Sequence, residues 1–206
     1  MAWFQSKQPA KQPAAAPASP AAAPLEERLK ALELEALQAR LGFRGTPLNR
    51  AGDLCMQAKE TDRALEYYGH AIDAYLQDEH PELARGVAQK LIRVHPGAVR
   101  TYCTLTWLDL GLGYLADART HVGGYVSAAR RAAREDLAIA QVKQMAATVT
   151  DLGFLEAAAT ALEDLGDRGA ARELRERFPR PAGPQTPDQE VSDRCFAAAK
   201  SSGGSH

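Results

Sequence analysis

Apolar side chains recur at steps of three to five residues along most of this chain, with charged residues between them. The first such series consists of five leucines: Leu25, Leu29, Leu32, Leu37 and Leu41. Steps of this size place the apolar side chains on one side of an α-helix. Glutamates at the start of the series and Gly42 near its end suit the two ends of a helix. We therefore predict a helix over residues 25–43.

Eight further helices are predicted after this one. Glycines, prolines and short polar stretches separate segments that have the same helical spacing. The predicted segments are residues 47–58, 61–77, 81–94, 98–111, 114–132, 134–150, 154–165 and 168–178. Within one of them, Gly123 and Gly124 are expected to cost roughly 1 kcal/mol each. No segment has the alternating pattern of a β-strand, so the predicted fold class is all-α.

The two ends of the chain have a different composition. Residues 1–24 form a Pro/Ala-rich arm, and residues 179–206 are rich in Pro, Gly, Thr and Ser. Such segments bury too little apolar surface to offset the entropy of ordering, so we predict disordered tails. Trp3 and Phe4 are the exception. These aromatic residues form a candidate docking motif for a partner's apolar pocket or for the protein's own groove, and an ordinary disordered terminus is the alternative.

A finer pattern of small and large residues occurs twice. It covers residues 49–54 with 61–68, and residues 102–107 with 113–118. In each case a helix leads through a tight turn to a second helix, which begins with a small residue on its buried face. That residue is Ala64 in the first case and Ala118 in the second. A helix pair of this kind cannot bury its own apolar face and has to stack on neighbours.

On these residues the chain resembles the tetratricopeptide repeat family, whose units are helix–turn–helix pairs of about 34 residues. Ala84 occupies the small-residue position of a further, overlapping unit, and a weaker unit follows over residues 142–165. Asp109 stands where the family usually has an aromatic or apolar residue. The resemblance implies a right-handed α-solenoid over residues 47–178, preceded by a leading or capping helix. A generic helical bundle without a groove is the alternative.

The resemblance also implies where a ligand binds, because the first helices of the family's units line a concave groove. The residues at matching positions are Asn49, Arg50, Asp53, Met56 and Gln57, then Arg100, Cys103, Thr104 and Trp107, then Lys143, Gln144 and Ala147. Trp107 is predicted to face the groove, so that truncating it would leave stability nearly unchanged; packing on a neighbouring helix is the alternative. The acidic Asp53 disfavours the peptide carboxylate that some family members bind.

Composition and charge exclude several classes of partner. A net charge of −1 gives no basic surface for nucleic acid. No apolar run approaches the ~20 residues of a membrane span. The first residues lack the regions of a signal peptide, so the cytoplasm, of a bacterial type, is the expected location.

Candidate chemistry is sparse. Cys55, Cys103 and Cys195 have no zinc-binding spacing, and the histidines are dispersed, His121 at a position expected to be exposed. Common catalytic motifs are absent, so we predict no metal, no cofactor and no enzyme activity. The predicted function is a scaffold or adaptor that binds a protein or peptide partner, with homo-oligomerisation through the leading helix as a further candidate. The alternatives are a secretion-type chaperone for an export substrate and a helical enzyme or regulatory subunit.

Overall fold

A computed structural model describes residues 23–40 and 43–177. Within those ranges the chain forms nine α-helices and no β-strand, which confirms the predicted all-α fold class there. The helices are α1 (Leu25–Gln38), α2 (Gly45–Gln57), α3 (Thr61–Gln77), α4 (Pro81–Val94), α5 (Val99–Leu112), α6 (Leu115–Arg131), α7 (Glu135–Thr148), α8 (Leu152–Asp164) and α9 (Arg168–Arg177). Most of the arm, the C-terminal tail, Trp3, Phe4 and Cys195 lie outside the described residues.

The leading helix differs from its prediction in length and in its buried face. It ends at Gln38, and Ala39 is extended, whereas a helix to residue 43 was predicted. Its buried residues are Leu29, Leu32 and Ala36. Leu37 is 84% exposed, because a step of five residues from Leu32 turns the helix about 140° away from the buried face.

Five helix–helix turns share one conformation. Each contains a single residue with positive φ, placed two residues before the next helix begins: Lys59, Glu79, Gly113, Ala133 and Gly166. In each turn the N–H of the following residue donates to a carbonyl five residues earlier, over 2.8–3.0 Å. This is the Schellman arrangement, which satisfies the last carbonyls of a helix. The chain thus ends five of its helices in the same way.

The chain divides into two compact units, and the division falls within α4, after Val87. In the first unit, α2 packs against α1 and α3. Gly52 permits the close approach of α2 and α3, since a Cβ there would lie 2.6 Å from the ring of Tyr68. Ala64 and Ala84 are fully buried, as expected for small residues at helix contacts.

In the second unit, α6 is the central helix and contacts α5, α7 and α8, while α9 packs on α8. Ala118 of α6 is fully buried. Gly123 and Gly124 do not interrupt α6, and a Cβ at Gly124 would collide with the ring of Tyr102 on α5. Gly124, which was expected to weaken the helix, is therefore a point of close packing between α5 and α6.

Asp109 of α5 is fully buried and forms a polar pair with α6. Its Oδ2 lies 2.5 Å from Nδ1 of His121, whose side chain is 13% exposed. The expectation of an exposed His121 is thus wrong, because its ring serves a buried carboxylate. Buried charged groups need such hydrogen-bonding partners, which explains how an acidic residue is accommodated at an apolar position of the repeat pattern.

Candidate functional site: a groove between the first two helices

Three glutamates attach α1 to its neighbours: Glu26 and Glu33 bond to α3, and Glu35 bonds to Arg50 of α2. Glu26 accepts two hydrogen bonds from the guanidinium of Arg63 on α3, at 2.5 and 3.0 Å. Glu33 accepts one from the hydroxyl of Tyr67, also on α3, at 2.5 Å. Burial, and then this carboxylate, raise the pKa of Tyr67 to about 12. Together with the apolar face of α1, these bonds hold the helix beside α2.

A groove with a volume of about 500 Å³ runs between α1 and α2. Apolar and charged side chains from both helices line it: Arg28, Ala31, Leu32, Glu35, Arg50, Asp53, Leu54 and Gln57. The lining residues of α1 recur at steps of three and four, and so do those of α2. This spacing places them along the facing edges of two neighbouring helices. We call this part the polar end of the α1–α2 groove.

The charges on the rim of the polar end are balanced. Arg50 lies 3.2 Å from Glu35 across the groove, and both side chains are more than half exposed. Asp53 accepts a hydrogen bond of 2.7 Å from the hydroxyl of Tyr68, which fixes the carboxylate against α3. Two arginines and two carboxylates give the rim no dominant sign. The groove can therefore hydrogen-bond a ligand of mixed polarity above an apolar floor.

The groove continues towards the end of α1 as a second depression of about 520 Å³. Its lining residues are Ala31, Leu34, Glu35, Gln38, Ala39, Phe43, Thr46 and Pro47, and it shares Ala31 and Glu35 with the polar end. Leu34 is 53% exposed and Phe43 66%. Exposed large apolar side chains beside a concave surface are typical of interaction sites. We call this part the apolar end of the α1–α2 groove.

Some of the predicted binding residues line this groove. Arg50, Asp53 and Gln57 line its polar end, whereas Asn49 and Met56 are partly buried and line neither end. The contribution of α1 to the groove was not predicted. A signal was present, since Arg28, Ala31, Glu35 and Gln38 recur at helical steps beside the buried leucines. Nothing in the sequence indicated that this stripe faces α2.

The remaining predicted residues belong to the second unit. Arg100, Lys143 and Gln144 are exposed, and Thr104 is partly buried. Trp107 is also partly buried: its indole N–H donates to Oε1 of Gln141 on α7, over 3.1 Å, and it packs against the apolar core of the second unit. These contacts favour the packing alternative for Trp107, and its place in a binding groove stays a prediction.

Cys103 lies beside Trp107 in this arrangement. Its thiol donates to Oε1 of Gln141, the acceptor that Trp107 also uses, over 3.7 Å. Burial raises the pKa of Cys103, which keeps the thiol protonated. The cysteine thus behaves as a partly buried packing residue, as the sequence indicated.

A smaller groove of about 280 Å³ lies among α7, α8 and α9. Lys143 and Ala147, both predicted binding residues, line it. Lys143 pairs with Asp167 over 2.6 Å and lowers the pKa of that carboxyl. Because Lys143 is already paired, and because the groove is little more than half the volume of either end of the α1–α2 groove, we regard it as the weaker site.

Comparison with known proteins does not assign the chain to a family. No protein-family model matches the chain, and no curated protein matches it. Within the part of the chain that the structure describes, no three His, Cys, Asp or Glu side chains come together as a metal site. The helices of residues 23–40 and 43–177 include none with the length and apolar character to cross a membrane. The resemblance to tetratricopeptide repeats remains a prediction from the sequence.

Proposed function

We propose that this protein is a non-catalytic adaptor that binds a peptide segment of another protein in the α1–α2 groove. The observation that carries the proposal is the continuous groove along α1 and α2, with an apolar floor, a rim of balanced charge and two exposed apolar residues at one end. Binding sites commonly combine an apolar concave surface with a few polar groups that orient the ligand.

The dimensions of the groove suit a short peptide. From Arg28 to Gln38 α1 rises about 15 Å, which is the length of four or five residues of an extended chain. The exposed Arg50 and Gln57 can hydrogen-bond main-chain groups of such a ligand, while Leu54 contacts its apolar side chains. The ligand is therefore expected to be a peptide that has apolar side chains and no large net charge.

The wider architecture that we propose is an α-solenoid of tetratricopeptide type. Two observations support it. The same Schellman turn recurs five times, and α6 contacts α8 as well as its sequence neighbours α5 and α7, as expected where helix pairs stack. The buried small residues Ala64, Ala84 and Ala118 agree with the repeat pattern.

Self-association through α1 is a second candidate function. The observation that favours it is the exposure of Leu34, Leu37 and Phe43, which lie on or beside the leading helix. An isologous contact would pair the same apolar surface from two copies. Light scattering of the full chain over a range of concentrations measures this directly, and a constant monomeric mass would exclude it.

The binding proposal can be tested with a peptide selected from a display library against the full chain. In the Ala31→Trp variant the added ring enters the groove where its two ends meet, and we expect at least a tenfold loss of affinity, equal to about 1.4 kcal/mol. Lys30→Trp is the matched control, since Lys30 is exposed on α1 but lines neither end. Equal affinity of Ala31→Trp and Lys30→Trp for the peptide would place the binding site elsewhere.

A further inference from the structure

The apolar end of the α1–α2 groove lies on a helix that is joined directly to a segment with two adjacent aromatic residues. Residues 1–22 precede the described part of the chain and include Trp3 and Phe4. Leu34 and Phe43 of the groove expose apolar side chains that large rings could cover. A candidate docking motif, Trp3 and Phe4, and an apolar surface that it could cover are therefore present in the same molecule.

The length of the connecting chain suits a contact within one molecule. A proline-rich chain rises about 3.1 Å per residue when extended, so the 21 steps from Phe4 to Leu25 can span up to about 65 Å. Leu34 lies about 14 Å along α1 from Leu25, and Gln38 about 20 Å. The segment is therefore long enough for its rings to reach the apolar end, and the covalent link raises their effective concentration beside the groove. Even a weak contact would then be populated.

Charge also favours the contact. Residues 1–22 contain Lys7 and Lys11 and no acidic residue. Around the balanced rim, residues 23–87 of the first unit carry twelve acidic and eight basic side chains, a net charge of −4. Opposite charges of this size increase the rate of encounter and the time that the segment spends beside the helix.

We propose that the N-terminal segment docks Trp3 and Phe4 in the apolar end of the α1–α2 groove of its own molecule, and so competes with a bound partner. The competition rests on the proposed function, whereas the docking does not. A partner that displaces the rings would gain access to the full length of the groove. The segment would thus lower the apparent affinity for weak ligands and leave strong ligands bound.

Tryptophan fluorescence tests the docking directly, because Trp3 and Trp107 are the two tryptophans of the chain. Trp107→Phe leaves Trp3 as the only reporter. We expect its emission to be shifted to the blue and protected from acrylamide, compared with a synthetic peptide of residues 1–24. Leu34→Asp should shift the emission back to that of the peptide. The control is Leu137→Asp, since Leu137 is equally exposed but belongs to the second unit.

A second measurement covers the case in which Trp107→Phe does not fold. The difference between the spectra of the wild-type protein and of Trp3→Phe then reports the same residue. Trp3 emission and quenching equal to those of the free peptide would overturn the proposal. Protection that disappears on dilution, together with a dimer in light scattering, would also overturn it, since the occupant would be the segment of a second copy.

The competition is tested with the double variant Trp3→Ala/Phe4→Ala and the selected peptide. We expect this variant to bind the peptide several-fold more tightly than the wild-type protein. If the peptide binds, Trp3 is exposed, and the double variant and the wild-type protein have equal affinities, the proposed function stands and the docking is refuted. A protected Trp3 without peptide binding would refute the proposed function and leave the docking intact.

Discussion

At the scale of single residues, two adjacent glycines in α6 have different roles. Gly123 has no neighbouring atom near the position of a Cβ, whereas a Cβ on Gly124 would collide with the ring of Tyr102. The sequence treats both as weak helix formers. Only the packing of α5 against α6 distinguishes a glycine that is needed from one that is tolerated.

This difference predicts opposite effects of one substitution. Gly123→Ala should raise the free energy of unfolding by about 0.5–1 kcal/mol, because alanine loses less backbone entropy in a helix. Gly124→Ala should lower it by about 1–3 kcal/mol, because Tyr102 would have to move. Chemical denaturation of the two variants measures both, and a stabilised Gly124→Ala would show that α5 and α6 are not in close contact at this point.

Trp107 also shows how packing changes the meaning of a residue. Its partial burial and its bond to Gln141 predict that Trp107→Ala lowers the free energy of unfolding by about 1–3 kcal/mol. The exposed Arg100 is the control, and Arg100→Ala should change stability by about 0.5 kcal/mol or less. A thermal melt of Trp107→Ala that matches the wild type would restore the interpretation of Trp107 as a groove-facing residue.

At the scale of helices, the turns contain the clearest opportunity for stabilisation. Lys59, Glu79 and Ala133 adopt positive φ without being glycine. A residue with a Cβ pays about 1–2 kcal/mol for this conformation, which glycine adopts freely. The glycines at two of the five turns already avoid this cost.

Ala133→Gly should therefore raise the free energy of unfolding by about 1 kcal/mol. The control is Ala140→Gly at an exposed position within α7, which should lower it by about the same amount. Urea denaturation of both variants checks the prediction. If both variants are less stable than the wild type, the turn at Ala133 does not have the left-handed conformation.

The raised pKa of Tyr67 predicts alkaline weakening of the contact between α1 and α3. In the folded protein the pKa of Tyr67 is about 12, above the ordinary pKa of 10 for tyrosine. The stability that neutral Tyr67 contributes is therefore complete below pH 10 and is lost as the pH rises towards 12. Tyrosinate absorbance should show one fewer late-titrating tyrosine in Tyr67→Phe than in the wild type. An identical titration curve for the two proteins would argue against the bond to Glu33.

The sequence predicted helices better than it predicted relations between them. Periodicity and helix breakers located nine helices within a few residues, except the end of α1. Leu29 and Leu32 define the buried face of α1, and Leu37 is exposed because it lies on another side of the helix. The groove was missed on the α1 side because Glu35 and Arg50, which face each other across it, are 15 residues apart, and only folding brings such residues together.

At the scale of the whole molecule, the α1–α2 groove of the first unit is the proposed binding site. The sequence pattern distributed candidate residues over three helices, and the structure shows two adjoining depressions, of about 500 and 520 Å³, along α1 and α2. Three alternative occupants would all use this groove: a partner peptide, the N-terminal segment and a second copy of the chain. A direct map of the bound ligand therefore decides more than any single substitution.

That map is the change in backbone amide chemical shifts of the isotope-labelled full chain when the selected peptide is added. We expect the shifted residues to cluster along the groove, at Ala31, Glu35, Arg50 and Gln57. The amides around Lys143 and Leu174, in the smaller groove of the second unit, should stay unchanged. Shifts confined to α7, α8 and α9 would contradict the claim and transfer the binding site to the second unit.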